Sequence, residues 1–99
     1  MTSDIKILSQ EEIDEKLKNL PGWKLEDNKI SKQFEFDGFP EAISFINKMV
    51  PFFQEEDHHP DMHISFKKVT FELTRFDVGG KLTQKDFKVA HKIEEEFKA

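Results

Sequence analysis

Apolar residues recur along the chain with two different spacings, and the points where the spacing changes divide it into elements. Ser9-Gln10-Glu11-Glu12 has the form of a capping box, in which the Ser9 hydroxyl accepts from the backbone near Glu12 and the Glu12 carboxylate reaches back. Ile13, Leu17 and Leu20 follow at helical spacing, and Pro21-Gly22 ends that helix. Trp23 to Glu26 reads as a short strand, Asp27-Asn28 as a turn and Lys29 to Phe36 as a second strand. In this second strand Ile30, Lys32, Phe34 and Phe36 share one face, while Lys29, Ser31, Gln33 and Glu35 share the other. Apart from Lys32 the period is two, which describes an antiparallel strand covered on one side.

Asp37-Gly38 breaks that strand, and Pro40 suits the first turn of a helix, where a missing N–H has no partner to lose. Ala42, Phe45, Ile46, Met49 and Val50 then form an apolar stripe at helical spacing. Pro51 is expected to kink or end the helix, leaving the polar run Gln54 to Asp61 as a loop. Met62 to Phe66 and Val69 to Phe76 read as two strands with a turn near Lys67-Lys68. Gly79-Gly80 marks a tight turn, and Thr83 with Asp86 three residues later starts a last helix. Its buried stripe is expected at Phe87, Ala90, Ile93 and Phe97. The order α-β-β-α-β-β-α predicts an α+β fold, a four-stranded antiparallel sheet with three helices packed on one face. Residues 1–99 are read as one domain. The uncovered sheet face, or an edge strand, is left for a partner, so a homodimer or homotetramer is expected.

Composition narrows the chemistry. A chain of 99 residues with 36% hydrophobic residues has little core to spare, but 11 Phe and one Trp supply large buried areas. Cysteine is absent, which excludes a disulfide framework, a thiolate nucleophile and a cysteine-ligated metal. A net charge of −5 argues against direct nucleic acid binding through bulk charge. No apolar run is long enough to span a bilayer, and MTSDIKILSQEE lacks the basic start and apolar stretch of a signal peptide. A cytoplasmic protein without a membrane role is expected.

His58-His59-Pro60 is the most unusual local feature. Pro60 fixes its own φ and biases His59 towards an extended conformation, so the two imidazoles should point apart and do different work. Histidine is the side chain that both gives and takes protons near neutrality. Against this stands the plain alternative that one ring packs under the loop while the other is solvated. Asp57, His58, His59, Asp61 and His63 also raise the question of a metal. The spacing speaks against zinc: His59 and His63 share a face only on a helix, and a proline and a strand follow His59. Asp86 has a sufficient structural reason in offsetting the dipole of the last helix, and His91 falls off that helix's apolar stripe. Trp23 could be core or pocket wall.

Taken together these residues resemble the pterin-4a-carbinolamine dehydratases (4a-hydroxytetrahydrobiopterin dehydratases), over nearly the whole chain. The resemblance rests on Leu20-Pro21-Gly22-Trp23, on Phe36, Phe39, Ala42 and Phe45, and on the signature Asp57-His58-His59-Pro60 followed by Phe66 and Val69. It continues through Asp77-Val78-Gly79-Gly80, Leu82-Thr83, Asp86, Ala90 and Ile93. It implies a hydro-lyase of tetrahydrobiopterin recycling: loss of water from a 4a-hydroxytetrahydropterin gives the quinonoid dihydropterin, with no cofactor and no metal. The resemblance further implies that His58 moves protons, that His59 holds the pterin or shares in proton transfer, and that Asp86 orients a histidine or stabilises it when charged, while Asp57, Pro60 and Phe76 belong to the substrate pocket. The chain departs from the pattern at three positions. Phe76 stands where a third histidine is usual, Gln54 stands where an acid is common, and Lys81 is an extra residue between Gly-Gly and Leu-Thr. His63 is the nearest candidate to replace the missing imidazole. The family also includes dimerisation and assembly factors, which makes a catalytically weak or inactive member with such a role the alternative.

Overall fold

The computed structural model describes residues 6–75 and 79–98. Seven elements follow in the order α1 (Gln10–Leu17), β1 (Lys24–Glu26), β2 (Lys29–Glu35), α2 (Phe39–Glu56), β3 (Asp61–Ser65), β4 (Lys68–Leu73) and α3 (Gln84–Lys98). The strands form one antiparallel sheet in the order β1-β2-β4-β3. This is the predicted α+β order.

Local chemistry accounts for most boundaries. The capping box is formed on both sides: Ser9 Oγ accepts from the Glu12 N–H at 3.2 Å, and Glu12 Oε1 accepts from the Ser9 N–H at 2.8 Å. Asp27 and Asn28 both take positive φ, 52° and 61°, the geometry a two-residue hairpin needs between Glu26 and Lys29. The strand predicted from Trp23 starts one residue later, because Trp23 turns inward and is buried. Ile30 and Phe34 of β2 join Val69, Phe71 and Leu73 of β4 in a core completed by the helices through Ile13, Ala42, Met49, Phe53, Phe87 and Ile93. Lys32, the exception to the alternation, reaches Glu94 Oε2 at 2.5 Å and the Pro21 carbonyl at 3.2 Å. Trp23 Nε1 donates to the same Glu94 oxygen at 2.9 Å, so the buried indole has its partner.

Four expectations shift. Pro51 does not end α2, which continues to Glu56. Proline in a helix interior costs about 3 kcal/mol, yet burying each large apolar side chain returns about 1.5–3 kcal/mol. The turn beyond Pro51 places Phe53 in the core and Phe52 against it, which offsets the lost hydrogen bond. Gln54, Glu55 and Glu56 are therefore helical, and the polar loop shrinks to residues 57–60. β3 begins at Asp61 and leaves Phe66 in the turn, with φ 57°. β4 stops at Leu73, after which Arg75 makes an isolated bridge to Lys81; the predicted strand end at Phe76 lies outside the described residues. Finally, Val50 and Phe97 remain 42% and 38% exposed, although the Phe97 ring meets Phe34, Phe36 and Phe45 edge-on at 4.8–6.1 Å.

Candidate active site

The loop that carries the histidines is set by the way α2 ends. Asp57 adopts the left-handed conformation, φ 52° and ψ 45°, which aspartate tolerates better than most residues. Its N–H bonds the Gln54 carbonyl at 3.2 Å, and the His58 N–H bonds the Phe53 carbonyl at 3.1 Å. These bonds close the helix in the manner of a Schellman turn and aim the His58 side chain inward. Pro60, buried, then carries the chain into β3.

Asp86 approaches from the first turn of α3. Its Oδ2 accepts from the Thr83 N–H at 2.8 Å, so the carboxylate caps its own helix, and its Oδ1 lies 2.5 Å from His58 Nε2. Asp86 is fully buried and His58 is 6% exposed. A buried carboxylate needs this kind of partnering. Because the carboxylate only accepts, His58 carries a proton on Nε2 and its neutral form presents a lone pair on Nδ1. His59 points away, exposed, with Nε2 2.6 Å from Gln54 Oε1. As the amide oxygen also accepts, the same tautomer follows there. The adjacent imidazoles thus occupy different environments, one buried against an acid and one exposed against a neutral amide.

Not every predicted residue joins this pair. Asp57 is exposed at the end of α2, and Phe76 lies outside the described residues. His63 is paired in register with Thr70, on the sheet face opposite Val69 and Phe71 and so opposite the helices, where its Nε2 is 3.5 Å from Glu72. It does not stand in for a third imidazole beside His58. His91 is exposed. Among the described residues no three His, Asp or Glu side chains converge to hold a metal ion. The extra residue Lys81 is absorbed in the bridge to Arg75, where its carbonyl accepts from the Arg75 N–H at 3.1 Å, ahead of the Leu82-Thr83 segment. Asp86 meets His58 with Lys81 present.

Two sets of contacts around the site were not foreseen. Gln54, which departs from the acid common at this position, holds His59; with α2 running through Pro51 it sits one turn before the histidines. Lys85 Nζ donates to the Glu56 carbonyl at 2.9 Å and Lys88 Nζ pairs with Glu56 Oε2 at 3.1 Å, joining α3 to the end of α2. The signal available in sequence was the three-residue spacing of these lysines beside Asp86.

Comparison with known proteins identifies the family. Residues 6–96 match the model of the family described as pterin 4 alpha carbinolamine dehydratase. A protein from Picosynechococcus sp. assigned to the pterin-4-alpha-carbinolamine dehydratases is 51% identical over 83 residues, covering 84% of this chain and 89% of that one. A relative from Sulfolobus acidocaldarius with the same assignment is 41% identical over 86 residues, 87% of this chain and 93% of its own. Among solved structures, a transcriptional coactivator/pterin dehydratase from Brucella melitensis superposes with a TM-score of 0.86 at 27% identity, covering 92% of this chain and 98% of that one. A pterin dehydratase-like RuBisCO assembly factor of the alpha-carboxysome shares the fold alone, with a TM-score of 0.59 at 15% identity over 75% of this chain and 84% of its own. With a family match spanning nearly all of its length and relatives this similar, the chain belongs to the pterin 4 alpha carbinolamine dehydratase family.

Proposed function

We propose that this protein dehydrates a 4a-hydroxytetrahydropterin to the quinonoid dihydropterin, by proton transfer through His58 and His59. The reaction breaks the bond between the ring carbon and its hydroxyl, removes a proton from the neighbouring ring nitrogen and leaves a carbon–nitrogen double bond. Water departs with the hydroxyl and one added proton. No electrons change hands, so the chemistry asks for an acid and a base and for no redox cofactor. One imidazole takes the nitrogen proton and the other protonates the departing hydroxyl, and microscopic roles can alternate between them. Asp86 fixes the tautomer of His58 and stabilises its imidazolium. Pro60 shapes the loop, with Asp57 and Phe76 as pocket residues. The observation that carries the reading is the buried His58–Asp86 pair at 2.5 Å, since a structural histidine does not require a fully desolvated carboxylate, and a proton-transfer histidine benefits from one.

Family membership among dehydratases supports the substrate class. We place the enzyme in the cytoplasm as a homo-oligomer, and its charge of −5 speaks against direct nucleic acid binding. A turnover assay with a 4a-hydroxytetrahydropterin tests the activity. Wild type should exceed the uncatalysed rate, and His58→Gln should lose about 10²–10⁴-fold in kcat. Wild type at the uncatalysed rate sinks the enzyme reading. The second reading, an assembly or dimerisation factor, would then gain, on the strength of the exposed apolar edge of β3 described below.

A further inference from the structure

His58 and Asp86 sit on separate elements, and their contact depends on how the end of α2 meets the start of α3. The closing bonds from Asp57 and His58 take up the Gln54 and Phe53 carbonyls, but α2 has no basic residue in its own last turn to answer the negative end of its dipole. Lys85 provides one from α3: its Nζ donates to the Glu56 carbonyl at 2.9 Å. One turn further along the same face, Lys88 pairs with the Glu56 carboxylate at 3.1 Å. Glu56, whose side chain is 14% exposed, is thus gripped through both its backbone and its side chain. It lies two residues before His58, while Lys85 lies immediately before Asp86.

We propose that Lys85, seconded by Lys88, is a positioning residue that clamps Glu56 and thereby sets the His58–Asp86 geometry. The proposal rests on the dehydratase reading for its kinetic consequence, but its structural consequence stands apart. Because the clamp and the imidazole's partner are adjacent in one helical turn, a shift of α3 along α2 moves both together. Rate is sensitive to such shifts, since displacement of a proton-transfer group by about 1 Å costs up to about 10²-fold.

The test uses the full chain, with ¹⁵N-labelled histidine, and follows the His58 Nε2–H proton, assigned by its loss in His58→Gln. In Lys85→Met, which keeps the aliphatic stem and removes the donor, this resonance should shift or exchange faster. kcat should fall about ten-fold with KM unchanged. Lys85→Arg, retaining charge and donor, should recover most of both. Lys92→Met, further along α3 and paired with Glu95 and Glu96, should leave the resonance in place. Should Lys85→Met fold poorly, Lys88→Met gives the same readout with Glu56's carbonyl bond intact and a smaller shift. A resonance unchanged in position and exchange, with only the melting temperature lowered, overturns the proposal. Wild type without turnover but with a resonance that responds to Lys85→Met sinks the dehydratase reading and leaves the clamp standing.

Discussion

At the scale of single residues, Asp86 does two jobs with two oxygens, capping α3 through Thr83 and holding His58. Asp86→Asn separates them. The amide oxygen can still accept from the Thr83 N–H, but the NH₂ group then faces His58 Nε2 and forces the proton to Nδ1. On the dehydratase reading, the Nδ1 lone pair that would take part in proton transfer is thereby lost. A loss of about 10²–10⁴-fold in kcat is expected, with thermal unfolding nearly unchanged; equal activity would show that the tautomer is irrelevant. Asp86→Ala should behave differently, because the buried Thr83 N–H loses its partner at a cost of about 1–3 kcal/mol, measurable by denaturant unfolding. The His58-His59-Pro60 signature and the Thr83-to-Asp86 spacing were legible as residues. Their meeting across 28 positions was implied only through the family resemblance, since no local pattern encodes which helix start faces which helix end.

At the scale of elements, the period-two pattern of β2 and the caps of α1 and α3 were legible because the forces that set them act within a few residues. Pro51 does not end α2, because its penalty is local while the compensation from Phe52 and Phe53 is tertiary. Pro51→Ala should therefore restore a donor within α2 and raise the unfolding free energy by about 1 kcal/mol or more, part of proline's cost of roughly 3 kcal/mol. A destabilised variant would show that the proline's restriction of the unfolded chain dominates. Along the α2–α3 contact, Glu96 bonds Lys48 at 3.0 Å and Lys92 at 3.2 Å. The hydrogen bond from Lys48, followed by that from Lys92, holds its carboxyl below the ordinary value of 4.5. A lowered folded value means stability present above that pH and lost as the pH falls through the depressed value. Glu96→Gln should accordingly lower the melting temperature at pH 7 and leave it unchanged once the wild-type carboxyl is protonated. The two melting curves should converge on acidification.

At the scale of the whole molecule, the two sheet edges differ in a way no strand pattern reveals. β1 is three residues long and carries exposed Lys24 and Glu26, which discourages pairing. β3 is five residues long and bonded on one side to β4. Its Met62 and Ile64 lie in register with Phe71 and Val69, on the face the helices cover, yet they are 36% and 47% exposed. Sheet order and the position of α2 over β4 leave them uncovered. Next to them Phe66 is 69% exposed and holds φ 57°, a conformation that costs a bulky residue free energy. An open row of backbone donors and acceptors, flanked by apolar side chains, fits antiparallel pairing with β3 of a second copy, which would continue both the sheet and its apolar face. Ile64→Lys puts a charge on that face without touching His58, Asp86 or the buried core. Light scattering on the eluting protein should give a multiple of the 11.7 kDa chain mass for wild type and a lower multiple for the variant. A wild-type monomer, or an Ile64→Lys assembly of unchanged mass, would remove β3 as the contact.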